Sequence, residues 1–301
     1  VSETETVTSF CRICEALCGL ELDVDREAGR VVSIRPDASH VVTRGFACIK
    51  GLRQHELYQS PDRLREPLER QHGRLRPVSW EHALSRIGEQ VRSIRARAHP
   101  DAIAMYVGTA AGFSILHPPF AQGFMQGLGS RSTYSSATQD CSNKFAVARL
   151  MYGFPFLQPF PDLERTRCLV MVGANPAVSK WSFLQVSHPV QRLKAIEARG
   201  GRVFVVDPRR TESAKAAGEH VLIRPGTDVF FYLAFLHELF AVHGVDEARA
   251  ARHAHGSAAL RQLVAPWTPE RCAEVTKIPA DTLRRIVHAY ATADGAALYC
   301  S

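Results

Sequence analysis

Four cysteines near the N-terminus constrain this chain more than any other feature: Cys11-x2-Cys14-x3-Cys18, then, after 29 intervening residues, Cys48 in Cys48-x-Lys50-Gly51. Thiolates are soft ligands, suited to zinc and to iron–sulfur clusters. Zinc ribbons usually present two C-x2-C pairs, each offering two sulfurs from a tight knuckle. Here three sulfurs share one run and one stands apart. That arrangement favours a cubane iron–sulfur cluster, with one loop on three corners and a distant residue on the fourth. Zinc and free thiols are the alternatives that spacing leaves open. The other cysteines, Cys141, Cys168, Cys272 and Cys300, are dispersed, and eight in 301 residues is not the density of a disulfide scaffold.

The segment around the cluster has little apolar mass and needs such a staple. Leu20–Val24 and Val31–Ile34 are short, largely alternating apolar runs on either side of the turn Asp25–Arg30, which contains Gly29. This predicts a hairpin. A helical stretch is expected after Cys48, ending near Ser60-Pro61. Residues 61–78 are charged and contain three prolines and a glycine, so they read as a connector. Ser79 can cap the next helix, along which Trp80, Leu84, Ile87, Val91 and Ile94 recur at helical spacing.

Strands and helices then alternate. Strands are expected at Ala102–Val107, Thr133–Ser136, Cys168–Val172, Val203–Val206 and His220–Ile223, and helices through Phe120–Leu128, Asn143–Tyr152, Val190–Arg199 and onward from Asp228. The alternation implies a parallel sheet with helices on both faces. Ligands on such sheets bind at the carboxyl ends of the strands, which here fall at Gly173–Pro176, Asp207–Thr211 and Gly226–Asp228. Gly295–Ser301 reads as a further apolar strand that stops without a turn or polar tail, as expected of part of a longer protein.

Composition narrows the partners. Residues are 46% apolar and 22% charged, an ordinary globular balance. No window approaches the roughly 18 uninterrupted apolar residues of a membrane helix, so no membrane insertion is expected. The net charge is +7, but the basic residues are scattered and no nucleic-acid partner is expected. Without a visible leader the expected location is cytoplasmic, or periplasmic if a leader has been removed ahead of Val1.

Taken together, the motifs resemble the N-terminal portion of the molybdopterin oxidoreductases, which include formate dehydrogenases, periplasmic nitrate reductase and dimethyl sulfoxide reductase. The cysteine run with its distant C-x-K-G resembles the family's cluster domain. Val172–Pro176 resembles its G-x-N-P turn, Val205–Thr211 its V-D-P-R-x-T segment and Ile223–Asp228 its R-P-G-T-D segment. The resemblance implies an α/β fold class. A small N-terminal iron–sulfur domain rich in β-hairpin (1–60) precedes a doubly wound, mostly parallel-sheet nucleotide-binding region (61–301, incomplete at the C-terminus).

The implied cofactors are a [4Fe-4S] cluster on Cys11, Cys14, Cys18 and Cys48, molybdopterin guanine dinucleotide, and molybdenum or tungsten. Gly173 and Gly226 would let backbone amides approach a diphosphate, within the turns that also hold Asn175 and Pro176. Asp207 and Asp228 would accept from ribose hydroxyls or the guanine edge, and Arg209, followed by Thr211, offers planar donors for phosphate. Taken singly, each of these residues also fits a turn or cap, Asp228 as an N-cap. Lys50 is implied to lie between cluster and pterin. Cys141, in Thr138–Lys144, is implied to ligate molybdenum, as a thiolate does from this region in cysteine- or selenocysteine-ligated relatives. Formate dehydrogenases of this type place a histidine directly after that ligand; Ser142 stands here, which counts against formate.

The implied function is two-electron chemistry on a small-molecule substrate at the metal, with electrons relayed through Lys50 and the cluster to a redox partner protein or subunit. Two other readings remain. One is an electron-transfer subunit of the same fold without molybdenum, as in the large iron–sulfur subunit of NADH dehydrogenase. The other is a zinc-bearing structural or nucleic-acid-binding module.

Overall fold

The hairpin expected beside the cysteines forms, and it gains a third strand. The computed structural model describes residues 3–108, 111, 114–182 and 184–300. In it β1 (Thr4–Phe10), β2 (Gly19–Asp25) and β3 (Arg30–Pro36) make an antiparallel sheet in that order. Strand β1 pairs with β2 along its whole length, from Thr4 opposite Asp25 to Phe10 opposite Gly19. Its threonines and Val7 suit a pleated strand, although only Val7 is even half-buried. The cysteine run is therefore the connection between β1 and β2. After Cys48 come α1 (Ile49–Leu52) and α2 (Gln54–Gln59). Helix α2 stops at Ser60, whose ψ of 132° is the extended backbone that the following Pro61 favours.

Residues 61–78 are more than a connector, because β4 (Leu68–Gln71) and β5 (Arg74–Pro77) form a hairpin within them. Its turn is His72-Gly73, both left-handed with φ of 50° and 79°, the backbone that tight hairpins prefer. Strand β5 is exposed throughout and β4 is at most half-buried, so no apolar alternation marked the hairpin in the sequence. Helix α3 (Trp80–Arg97) begins as expected, with the Ser79 hydroxyl accepting from His82 N at 3.1 Å.

The strand expected over Ala102–Val107 shortens to β6 (Met105–Val107), because Pro100–Ala102 form a 3-10 turn in which Pro100 opens the first turn. After α4 (His117–Leu128), β7 (Thr133–Ser135) pairs with β6 in parallel. Helices α5 (Ala137–Asp140) and α6 (Ser142–Tyr152) follow. These elements belong to the first of two compact units, Val1–Gln158; the second is Pro159–Ser301.

The second unit is built on β8 (Cys168–Val172), β9 (Arg202–Val206), β10 (Glu219–Val221) and β11 (Ala296–Cys300), all parallel and in the order β10-β9-β8-β11. The alternating pattern thus builds two separate parallel sheets. Helices α7 (Pro176–Ser179), α8 (Pro189–Ala198) and α9 (Glu212–Ala216) connect the first three strands. Between β10 and β11 run α10 (Asp228–Glu238), which continues into a π-helical turn at Leu239–His243, then α11 (Glu247–His253), α12 (Ser257–Val264), α13 (Pro269–Thr276) and α14 (Ala280–Thr292).

Both faces of this sheet are covered. Val170 and Val172 pack with Phe204, Phe231 and Ile286, while Leu169 and Met171 pack with Leu193 and Ile196. Burial on both sides is why β8 reads as an unbroken apolar run. From β8 the chain steps outward through β9 and β10 and then returns to the other flank of β8 as β11. Such a reversal opens a crevice at the carboxyl ends of the strands. Among the described residues no helix is long and apolar enough to cross a membrane.

Candidate functional site

The cysteine loop closes on itself at its base, where Cys11 N donates to Cys18 O at 2.8 Å. Cys11 and Cys18 are buried; Cys14 and Cys48 are half-buried. Burial pushes the Cys18 thiol up to about 12, and the neighbouring Cys11, Cys14 and Cys48 add to the push. The fold therefore brings Cys14 and Cys48 within electrostatic reach of both Cys11 and Cys18. Burial also pushes Cys11 up; the Ile13 amide opposes it, Cys14 and Cys48 reinforce it, and the Lys50 charge draws it back. Lys50 itself is exposed on α1, the helix that Cys48 opens. A Cβ on Gly51 would stand 3.2 Å from Cys11 Sγ, so this glycine keeps α1 close to the loop without crowding the thiol.

Four soft thiols on one loop and the adjoining helix start, with a glycine set close against Cys11, fit a cluster that displaces their protons on binding. Among the described residues no three His, Cys, Asp or Glu side chains stand in the arrangement that holds one metal ion.

In the second unit the three loops at the strand ends lie side by side. Gly173 N donates to Val206 O at 3.0 Å and Asp207 N to Val221 O at 3.1 Å, which extends the sheet's pairing into the loops. Gly173 and Gly226 have φ of 65° and 76°, and a Cβ on either would meet nothing within 4 Å. Left-handed backbone facing open space is the form a phosphate-binding turn takes.

The polar side chains here are largely engaged with one another. Asn175 Oδ1 accepts from Ser213 Oγ at 2.7 Å and from Ser213 N at 3.2 Å, while its Nδ2 donates to Glu212 at 2.7 Å. Thr211 caps α9 by accepting from Ala214 N at 3.1 Å. The Asp207 carboxylate accepts from Arg209 N at 2.8 Å, and the Arg209 guanidinium forks onto Glu212 at 3.1 and 3.2 Å. That guanidinium, helped by Asn175, holds the Glu212 carboxyl down at about 2. Pro176 is buried at the first position of α7. The N-cap of α10 is Thr227, with Asp228 the first helical residue, so the cap moves one place from the sequence reading. Glu212 and Ser213 were missed in the sequence, although an acidic residue directly after a threonine cap was the available signal.

Cys141 lies in the first unit, at the junction of α5 and α6, where its N–H donates to Ala137 O at 2.9 Å and its carbonyl accepts from Phe145 N at 3.1 Å. It is half-buried. Burial and then Asp140 push its thiol up, against the pull of Lys144. The residue before it, Asp140, lines a cavity of about 680 Å³ at the carboxyl ends of β6 and β7, together with Tyr106, Tyr134 and Thr138 among others. That volume is in the range of small-molecule sites. Tyr106 and Tyr134 are cross-strand partners, and neither was singled out in the sequence.

The family profile described as "Molybdopterin oxidoreductase" matches residues 63–268. The chain belongs to the molybdopterin oxidoreductase family. A second profile, the molybdopterin oxidoreductase Fe4S4 domain, matches residues 4–60, the stretch that gathers the four cysteines. Among curated relatives, formate dehydrogenase H of Escherichia coli is 26% identical over 97% of this chain and 41% of its own length. The periplasmic nitrate reductase of Desulfovibrio desulfuricans is 27% identical over 98% of this chain and 40% of its own. The F420-dependent formate dehydrogenase 1 subunit alpha of Methanococcus maripaludis is 25% identical over 99% of this chain and 43% of its own. This molybdopterin oxidoreductase chain thus spans about two fifths of the length of those relatives. Acetylene hydratase from Pelobacter acetylenicus shares the fold, with a TM-score of 0.78 at 23% identity over 98% of this chain and 40% of that one.

Proposed function

We propose that this chain is the cluster-bearing and pterin-binding part of a molybdenum or tungsten oxidoreductase, which performs two-electron chemistry on a small-molecule substrate and exchanges electrons with a partner protein. The observation that carries the reading is the cluster loop, closed by Cys11 N on Cys18 O, with Cys11 and Cys18 buried and Gly51 set against Cys11. We assign the [4Fe-4S] cluster to Cys11, Cys14, Cys18 and Cys48, in a domain ending near residue 60. The two profile matches, either side of that boundary, support it.

When bound, the metal–pterin centre supplies the two-electron chemistry. The chain's own residues orient and tune it. Lys50 presents a positive charge that favours an electron on the cluster. Gly173 and Gly226 offer amides to the diphosphate of a pterin guanine dinucleotide, and Arg209, held by Glu212, presents its remaining donors at the same edge. Asp207 and Asp228 supply acceptors for ribose or guanine. Asn175, Pro176 and Thr211 fix the loops in place. Cys141 would ligate the metal beside the tyrosine-lined cavity, and Ser142 after it argues for a substrate other than formate. The proposed location is the cytoplasm, or the periplasm where a leader is removed.

Elemental and cofactor analysis of the anaerobically purified protein tests the reading. Iron, acid-labile sulfide, molybdenum or tungsten, and guanine nucleotide released by acid are the expected result. Iron without molybdenum, tungsten or pterin would refute it in favour of a pure electron-transfer subunit.

A further inference from the structure

The cluster domain carries a cavity of about 500 Å³ that none of the roles above uses. Its wall includes Phe10 and Arg12, the two chain neighbours of Cys11, together with His55 and Tyr58 from α2 and His117 from the start of α4. No acidic side chain is among the described residues that line it. Most arginines of this domain are neutralised: Arg26 by Glu5, Arg30 by Asp25, Arg35 by Glu21 and Asp23, and Arg53 by Glu56. Arg12 forms no ion pair among the described residues, so its charge is available to an incoming anion. The rim is aromatic and open, with Phe10 52% and Tyr58 64% exposed, and the Arg63 guanidinium lies 4.7 Å from the Tyr58 ring centre.

Exposed aromatic rings beside arginines are the composition of protein–protein hot spots. We propose that this cavity is the docking socket for an acidic electron-carrier protein, which sets a carboxylate against Arg12 and packs on Phe10 and Tyr58. The proposal rests on the cluster reading above, because docking there brings the carrier against the segment that holds Cys11. Complementary charge would steer the encounter and make it salt-dependent.

The test titrates the cluster-loaded full chain with an acidic [2Fe–2S] ferredoxin, followed by calorimetry, and separately with flavin mononucleotide. Iron content and visible absorption are recorded first for every variant. Ferredoxin is expected to bind more weakly as salt rises, and Arg12→Ala and Tyr58→Ala are each expected to weaken it about tenfold. Arg92→Ala, the same charge loss on α3, is expected to change it less than about twofold. Should Arg12→Ala lose its iron, Tyr58→Ala and His117→Ala decide. Ferredoxin binding that ignores the socket variants, no ferredoxin binding, or flavin binding that alone depends on Tyr58 would each overturn the socket. An iron-free wild-type chain would defeat the cluster reading itself, and the socket with it.

Discussion

In β8 all five residues of an unbroken apolar run are buried, whereas the apolar stripe of α3 leaves Trp80 66% exposed and Leu84 and Ile87 exposed beside it. The two regions carry equally clear apolar patterns, yet only one is covered. Periodicity tells which face seeks cover; it does not tell what supplies it. In the second unit the four-stranded sheet meets helices on both faces, the loops that follow β8 and β9 are anchored by the sheet's own hydrogen bonds, and the loop after β10 is tied to α13 by Arg224 N on Thr276 O. In the first unit the parallel pair β6–β7 keeps Tyr106 and Tyr134 exposed, and the cavity that Asp140 lines opens there. The contrast separates a sheet covered on both faces from a strand pair whose tyrosines stand exposed beside a cavity.

The largest expected effect that would break this comparison comes from truncating Phe231, which is fully buried among the aromatics of α10. Phe231→Ala should destabilise the chain by about 3–5 kcal/mol in urea unfolding, while Leu84→Ala on α3 should stay within about 0.5 kcal/mol. Equal losses at the two sites would erase the distinction. Next comes the tie between the loops after β8 and β9. Asn175→Ala strips the buried Ser213 of its contacts to that carbonyl oxygen and should cost about 1–3 kcal/mol by the same measurement. No loss would mean that the two loops stand independently.

A smaller effect sharpens the electrostatics of those loops. The Glu212 carboxyl sits at about 2 in the folded protein, below its ordinary 4.5, because Arg209 and then Asn175 favour the charged form. A depressed carboxyl contributes stability above its unfolded value and loses it as pH falls through its folded one. The advantage of wild type over Glu212→Gln should therefore be full at neutral pH and shrink between about pH 4.5 and 2. A pH-independent difference would show that the Arg209 pair contributes nothing through charge. Because Glu212 is exposed, salt should also reduce the difference.

What was legible in the sequence was local. Ligand spacing marked the cysteine loop, and continuous apolar runs marked β8 and β9 to within a residue. What was hidden depended on distant partners. Strand β1 and the β4–β5 hairpin bury too little to leave an apolar trace. The split into two parallel sheets rests on pairings such as Met105 with Thr133 and Ala296 with Cys168, which no local pattern encodes. The same is true of Asn175 and Ser213, 38 residues apart, whose contact turned a candidate ligand residue into one that also braces the site.

The central claim is that Cys11, Cys14, Cys18 and Cys48 hold one cubane cluster. Iron and acid-labile sulfide measured per chain, in the anaerobically prepared wild type and in Cys48→Ala, test it most directly. The account predicts about four iron and four sulfide in the wild type, as a [4Fe-4S] centre requires, and a large loss of both in the variant. About one zinc per chain with no sulfide, or iron content indifferent to Cys48, would contradict it.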